Sequence, residues 1–68
     1  MEWVKPIDMV EEDFRRQGVF MLVDVSSRKL WFFGYKRDQS CINKMMDSLK
    51  GRSDEMVNFL IARARAKG

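Results

Sequence analysis

The spacing of apolar positions changes along this chain, and each change marks a new element. Ile7, Val10 and Phe14 recur at helical intervals, with Met9 beside them. Asp8-Met9-Val10-Glu11 has the form of a capping box: a small acceptor, then a glutamate three residues on. Acidic residues crowd the start of this segment and Arg15 and Arg16 close it, in keeping with the helix dipole. Gly18 offers a left-handed stop. The pattern predicts a short amphipathic helix over 7–17.

From Val19 the period shortens. Residues 19–25, VFMLVDV, are apolar and β-branched and predict a strand. Ser26-Ser27-Arg28-Lys29 is the turn, and without an Asn-Gly signal it reads as a four-residue loop. Leu30 to Lys36 is the return strand. Pairing Val25 with Leu30 puts Val19, Met21, Val23, Val25, Leu30 and Phe32 on one face, with Gly34 among them. The other face then holds Phe20, Leu22, Trp31, Phe33 and Tyr35, interrupted by Asp24. Both faces are apolar, whereas a half-exposed antiparallel hairpin should alternate apolar with polar.

Helical spacing returns after the hairpin. Asp38 or Ser40 caps a helix whose stripe is Ile42, Met45, Met46 and Leu49, with Cys41 adjoining, and Gly51 ends it. Ser53 is the expected cap of a third helix, with Asp54 and Glu55 in its first turn. Its apolar set of Met56, Val57, Phe59, Leu60, Ile61 and Ala64 is wider than one stripe. The basic tail at about 65–68 is expected to fray. The fold class is α+β: one domain over 1–68, in the order α-β-β-α-α, with an antiparallel hairpin packed against three short helices. Three such helices have difficulty covering both faces of the hairpin.

A chain of 68 residues buries only about 60% of its unfolded surface, so its core is thin. Disulfides, metals and association are the usual supports for such a domain. Cys41 is the lone cysteine and histidine is absent, so neither an intrachain disulfide nor a zinc site of the usual Cys/His kind is expected. No cofactor is implied. Association, with itself or a larger partner, is the support left open. No apolar run approaches the ~20 residues of a membrane span. The acidic start MEWVKPIDMVEED lacks the form of a signal peptide. A soluble protein of the reducing cytoplasm, without a membrane partner, is the expectation.

Net charge is +3, unevenly spread: −2 over residues 1–18, +3 over 19–37 and +2 over 38–68. This changes the picture at one place. Basic residues close KLWFFGYKR, 29–37, at both ends. Trp31, Phe33 and Tyr35 can stack nucleic-acid bases, while Arg28, Lys29, Lys36 and Arg37 hold phosphates. WFFGYK is similar to the signature strand of RNA-recognition sheets in its alternate aromatics. The basic-Gly-aromatic-Gly order and the βαββαβ context of that family are missing, so no family is assigned. The same rings equally serve a thin core or a protein interface.

Other chemistry is set aside. Without histidine there is no side chain whose ordinary pKa makes it a base near neutrality, and no small-molecule substrate is implied. Glu11, Glu12 and Asp13 are consecutive, diverge around a helix, and read as a solvated helix start. Cys41 reads as packed and inert. A helix-turn-helix reading of the C-terminal pair puts Asp54 and Glu55 where DNA-reading residues sit, so a plain αα-hairpin is favoured. Met45, Met46 and Met56 serve as core filler or line an adaptable groove.

The sequence therefore points to a small non-enzymatic protein that binds another protein or forms a homodimer. Phe20, Trp31, Phe33 and Tyr35 would be its contact residues. Inhibitors and adaptors carried by phages and mobile elements are the analogy. The alternative is a nucleic-acid-binding accessory protein that uses the basic aromatic hairpin.

Overall fold

A computed structural model describes residues 2–34 and 36–67. The order is α1 (Ile7–Arg16), β1 (Phe20–Asp24), β2 (Lys29–Phe33), α2 (Gln39–Asp47) and α3 (Ser53–Ala66). The two strands form one antiparallel hairpin. The fold is α+β, as the sequence indicated.

α1 begins one residue before the capping-box position. Pro6 is its N-cap, and the Pro6 carbonyl accepts from the amides of Met9 and Val10, both at 3.1 Å. Asp8 accepts instead from the amide of Met9 at 2.9 Å. The expected reciprocal bond from Glu11 is replaced by a different role, described below. The far end closes as a Schellman motif. Gly18, at φ +83°, donates to the Arg15 carbonyl, and Val19 donates to the Phe14 carbonyl. Phe14 and Val19 are both buried, which supplies the apolar contact that accompanies this stop.

The hairpin register pairs Val23 with Leu30, not Val25 with Leu30. The loop opens earlier than expected because Asp24 nucleates it. Its carboxylate accepts from the Ser26 amide at 3.1 Å, the Ser26 hydroxyl at 2.8 Å and the Ser27 amide at 3.4 Å. Arg28, at φ 58°, completes the turn. The pairing shifts by two residues, an even number, so every side chain except those in the loop keeps its expected face. Val25 falls in the loop and is exposed. β2 ends at Phe33, because Gly34 turns to φ +81°. Lys36 therefore lies beyond the strand that was expected to carry it.

The core gathers on one side of the hairpin. Val10 and Phe14 of α1, Val19 and Met21, Met45 of α2, Leu49, and Met56 and Leu60 of α3 form it. Val23, Leu30 and Phe32 pack against it from the sheet. Phe14 and Phe32 stack with ring centroids 6.1 Å apart. Met45 and Met56 are thus core, and Met46 is half-buried. Asp38 caps α2, accepting from the Cys41 amide at 2.8 Å. Ser53 is not the cap of α3. Arg52 holds that position, where its guanidinium grips the Glu55 carboxylate and the Lys5 carbonyl. α3 continues to Ala66.

All of this packing lies behind the sheet. The molecule measures 35 × 35 × 20 Å, with a radius of gyration of 12.4 Å, above the roughly 11 Å of a rounded domain of this length. It is a slab one sheet and one helix layer deep, and the hairpin has one side to solvent. Among the described residues no helix is long and apolar enough to cross a membrane.

Candidate functional site

The solvent side of the hairpin is made by the alternation of its two strands. Phe20 pairs with Phe33, Leu22 with Trp31 and Asp24 with Lys29. These pairs project away from the core, because their neighbours Met21, Val23, Leu30 and Phe32 project into it. The exposures are 50% for Phe20, 60% for Leu22, 46% for Trp31 and 48% for Phe33. Two aromatic-containing cross-strand pairs are therefore contiguous and open. A charged pair closes the turn end. The Lys29 ammonium also rests 4.5 Å from the centre of the Trp31 ring. Hydrogen bonds to Ser26, and then to Ser27, hold the Asp24 carboxyl below the usual carboxylate range. It is a firm negative charge at neutral pH.

The face is held from behind. Arg28 donates to the Asn58 side chain of α3 at 2.7 Å, tying the turn to the helix layer. At the open end Gly34 passes close to Gly18. A Cβ on Gly34 would lie 3.1 Å from the Gly18 carbonyl oxygen and 3.3 Å from the Phe20 ring. No larger residue fits there without a shift. Each end of the hairpin is thus in contact with the rest of the fold.

Of the residues expected to bind a protein, Phe20, Trp31 and Phe33 share this face. Tyr35 lies outside the described residues. Leu22, the most exposed of the set, belongs with them, and its place in the alternation was the signal for it. The basic residues expected to hold phosphate do not converge. Lys29 is on the face, over Trp31. Arg28 points back to Asn58, and Arg37 donates from Nε to the Gln17 carbonyl at 3.3 Å. Lys36 and Arg37 are at the open end, a strand length of about 13 Å from Lys29.

Two residues read differently from the sequence change the electrostatics behind the face. Glu11 is no solvated helix start. It is 4% exposed and accepts from Arg63 of α3 through both oxygens, at 2.5 and 2.7 Å. The Arg15 guanidinium stands 3.7 Å away. The Glu11 hydrogen bonds hold the Arg63 guanidinium even more firmly protonated than usual. The signal was available: Ile7, Val10, Glu11 and Phe14 follow the i, i+3, i+4, i+7 spacing of a buried stripe. Arg63 is thus committed to Glu11, and Arg52 to Glu55.

Cys41 is half-buried, not fully packed. Its thiol donates to the Gln17 side chain at 3.3 Å. It borders an open cleft of about 410 Å3 between α1 and α2, lined also by Asp13, Arg16 and Lys44. Among the described residues no group of acidic, cysteine or histidine side chains is placed to hold a metal ion. Compared with known proteins, the chain matches no family model, no curated protein and no solved structure.

Proposed function

We propose that this chain is a small non-enzymatic protein-binding domain, of the inhibitor or adaptor type, that works through the outer face of its hairpin. One observation carries the reading: Phe20, Leu22, Trp31 and Phe33 form a single exposed patch on paired strands. Aromatic side chains measure roughly 150–250 Å2 each, so half-exposed they and Leu22 present about 400 Å2. The whole molecule exposes 5225 Å2. A patch of that size is often functional, and on so small a domain it supports the reading of an interaction surface. Rigid aromatic anchors with a charged rim are the composition of a protein interface. Cys41, alone in the sequence, suits a reducing cytoplasm.

Nucleic acid is the competing partner class. Single-strand binding needs a basic track beside the rings. Here Asp24 shares the face, and Arg28 and Arg37 are engaged behind or beside it.

The test is size exclusion with light scattering, with and without mixed single-stranded oligonucleotides, on the wild type and Trp31→Ala. Protein complexes that depend on Trp31, tolerate salt and ignore oligonucleotides are expected. A monomer that binds oligonucleotides with salt-reversible quenching of Trp31, read in a Trp3→Phe background, would overturn the reading.

A further inference from the structure

We propose that the occupant of the aromatic face is a second copy of this chain, docked hairpin on hairpin about a two-fold axis that runs along the strands. This rests on the reading above that the face binds protein, and it names the partner.

The cross-strand pairs carry the inference. A two-fold axis along the strands, lying between two facing sheets, sets β1 of one copy over β2 of the other without reversing their direction. Each cross-strand pair then meets its own mirror in composition. Phe20 faces Phe33, Leu22 faces Trp31, and Asp24 faces Lys29 of the second copy, each contact occurring twice. The only charges within the paired strands on this face are one acid and one base at the same register position. They become two intermolecular ion pairs at one edge of an otherwise apolar contact.

The other two-fold arrangement that keeps the facing strands aligned runs the hairpins in opposite directions. It sets β1 over β1, which places Asp24 against Phe20 and Lys29 against Phe33. That sets both carboxylates against aromatic rings with no ion pair across the contact, leaving them only their own Ser26, Ser27 and Lys29. The first arrangement adds two ion pairs between the copies, and the second adds none.

Dimensions agree. Packed sheets stand about 10 Å apart, with strands within about 30° of each other. Asp24 and Lys29 are two residues from the central pair of Leu22 and Trp31, or about 7 Å. A 30° rotation displaces them by roughly 3–4 Å, less than the length of a lysine side chain. Two copies bury about 800 Å2 through the four apolar residues alone. Asp24, Lys29 and the rim bring this towards the lower bound of about 1,200 Å2 for specific interfaces. Area alone does not fix affinity, and an interface at this lower bound is assigned to the weak class, with a dissociation constant on the order of 10 µM.

Sedimentation equilibrium from about 1 to 500 µM, spanning that constant, tests the proposal with Asp24→Lys and Lys29→Asp. Each variant alone brings like charges together twice and should dimerise on the order of tenfold more weakly. Mixed in equal amounts, the two bring opposite charges together twice. A heterodimer of near wild-type affinity should form. Circular dichroism checks that Asp24→Lys keeps its turn. Should it lose the turn, Lys29→Asp mixed with Asp24→Asn carries the test, since asparagine keeps the turn acceptor and relieves the repulsion at both contacts. Wild type that stays monomeric throughout overturns the second copy as occupant. A dimer lost in Trp31→Ala but not rescued by mixing overturns the axis proposed here and leaves the face as a protein site. A dimer indifferent to Trp31→Ala overturns both.

Discussion

Glu11 of α1 and Arg63 of α3 are bound through two parallel hydrogen bonds, and the carboxylate side of the pair is buried while the guanidinium side is about one-third exposed. The asymmetry decides what each substitution does. Removing the arginine strands a buried negative charge with only Arg15 at 3.7 Å to answer it. Removing the acid frees an arginine that can reach water. Arg63→Met should therefore cost about 2–4 kcal/mol and Glu11→Gln about 1–2 kcal/mol. Urea denaturation of both variants and the double variant checks this. Equal costs for the two single changes would show that Glu11 is better hydrated than its burial implies.

Phe14 is the hinge of the core: it is buried, stacks on Phe32, and its carbonyl receives the Val19 amide that ends α1. Phe14→Ala should cost about 3–5 kcal/mol, which is the whole stability expected of a domain this small. Phe32 is half-buried, so Phe32→Ala should cost about 2–3 kcal/mol. Far-ultraviolet circular dichroism at 25 °C should show Phe14→Ala largely unfolded and Phe32→Ala folded with a lowered melting temperature. The reverse order would mean that the sheet, and not α1, organises the core.

These two positions also mark what could be read from the sequence. The faces of the hairpin were legible because a strand alternates strictly. Phe32 and Trp31 must part, and an error of two residues in register leaves that parting intact. The apolar excess of the outer face followed from the same alternation. The Glu11–Arg63 pair was not legible, because its partners are 52 residues apart and a carboxylate in the first half of a helix has a local explanation ready. The register was missed because the strand was carried on to Val25, whereas the Asp24 carboxylate bonds forward to Ser26 and Ser27 and opens the loop there. Gly34 was placed in the strand for want of any local cue that Gly18 would approach it.

The two glycines offer a matched comparison. Gly34 and Gly51 both have positive φ, at 81° and 73°, but a Cβ on Gly51 meets open space whereas one on Gly34 meets the Gly18 carbonyl oxygen. Gly51→Ala should cost about 1 kcal/mol from backbone strain alone. Gly34→Ala adds a steric clash and should cost about 2–3 kcal/mol. It should also displace Phe20, so its effect on association through the aromatic face should exceed that of Gly51→Ala. Paired thermal melts and sedimentation runs check both halves; equal melting temperatures would mean that the hairpin end yields freely.

Cys41 borders an open cleft and is held by one weak thiol bond to Gln17. A thiol reagent should reach it without global unfolding, at a rate within about tenfold of that in denaturant. Gln17→Ala should speed the native reaction further. Labelling that waits for unfolding would restore the fully packed cysteine that the sequence suggested.

Acid should act on the turn and on the start of α3. Asp24 is held below the ordinary carboxylate range by the Ser26 hydroxyl and then by Ser27, and Glu55 is held below it by Arg52. Each group binds its proton less readily folded than unfolded. The stability it contributes is therefore fully present above the unfolded carboxylate value, near pH 4. It is lost as the pH falls through the lower, folded value. Arg63 and Arg52 are raised from a value already far above neutrality, and they stay charged across this whole range. The melting temperature should thus be flat from about pH 8 to pH 5 and decline from about pH 4 downward. Asp24→Asn keeps the acceptor that Ser26 and Ser27 need but has nothing to titrate, so its decline should be shallower than that of the wild type. Both groups are at the surface, so the difference is small and is best read as a change in slope between two series of melts at matched ionic strength. Parallel slopes would show that the Asp24 charge adds nothing to the turn beyond the acceptor that asparagine also supplies.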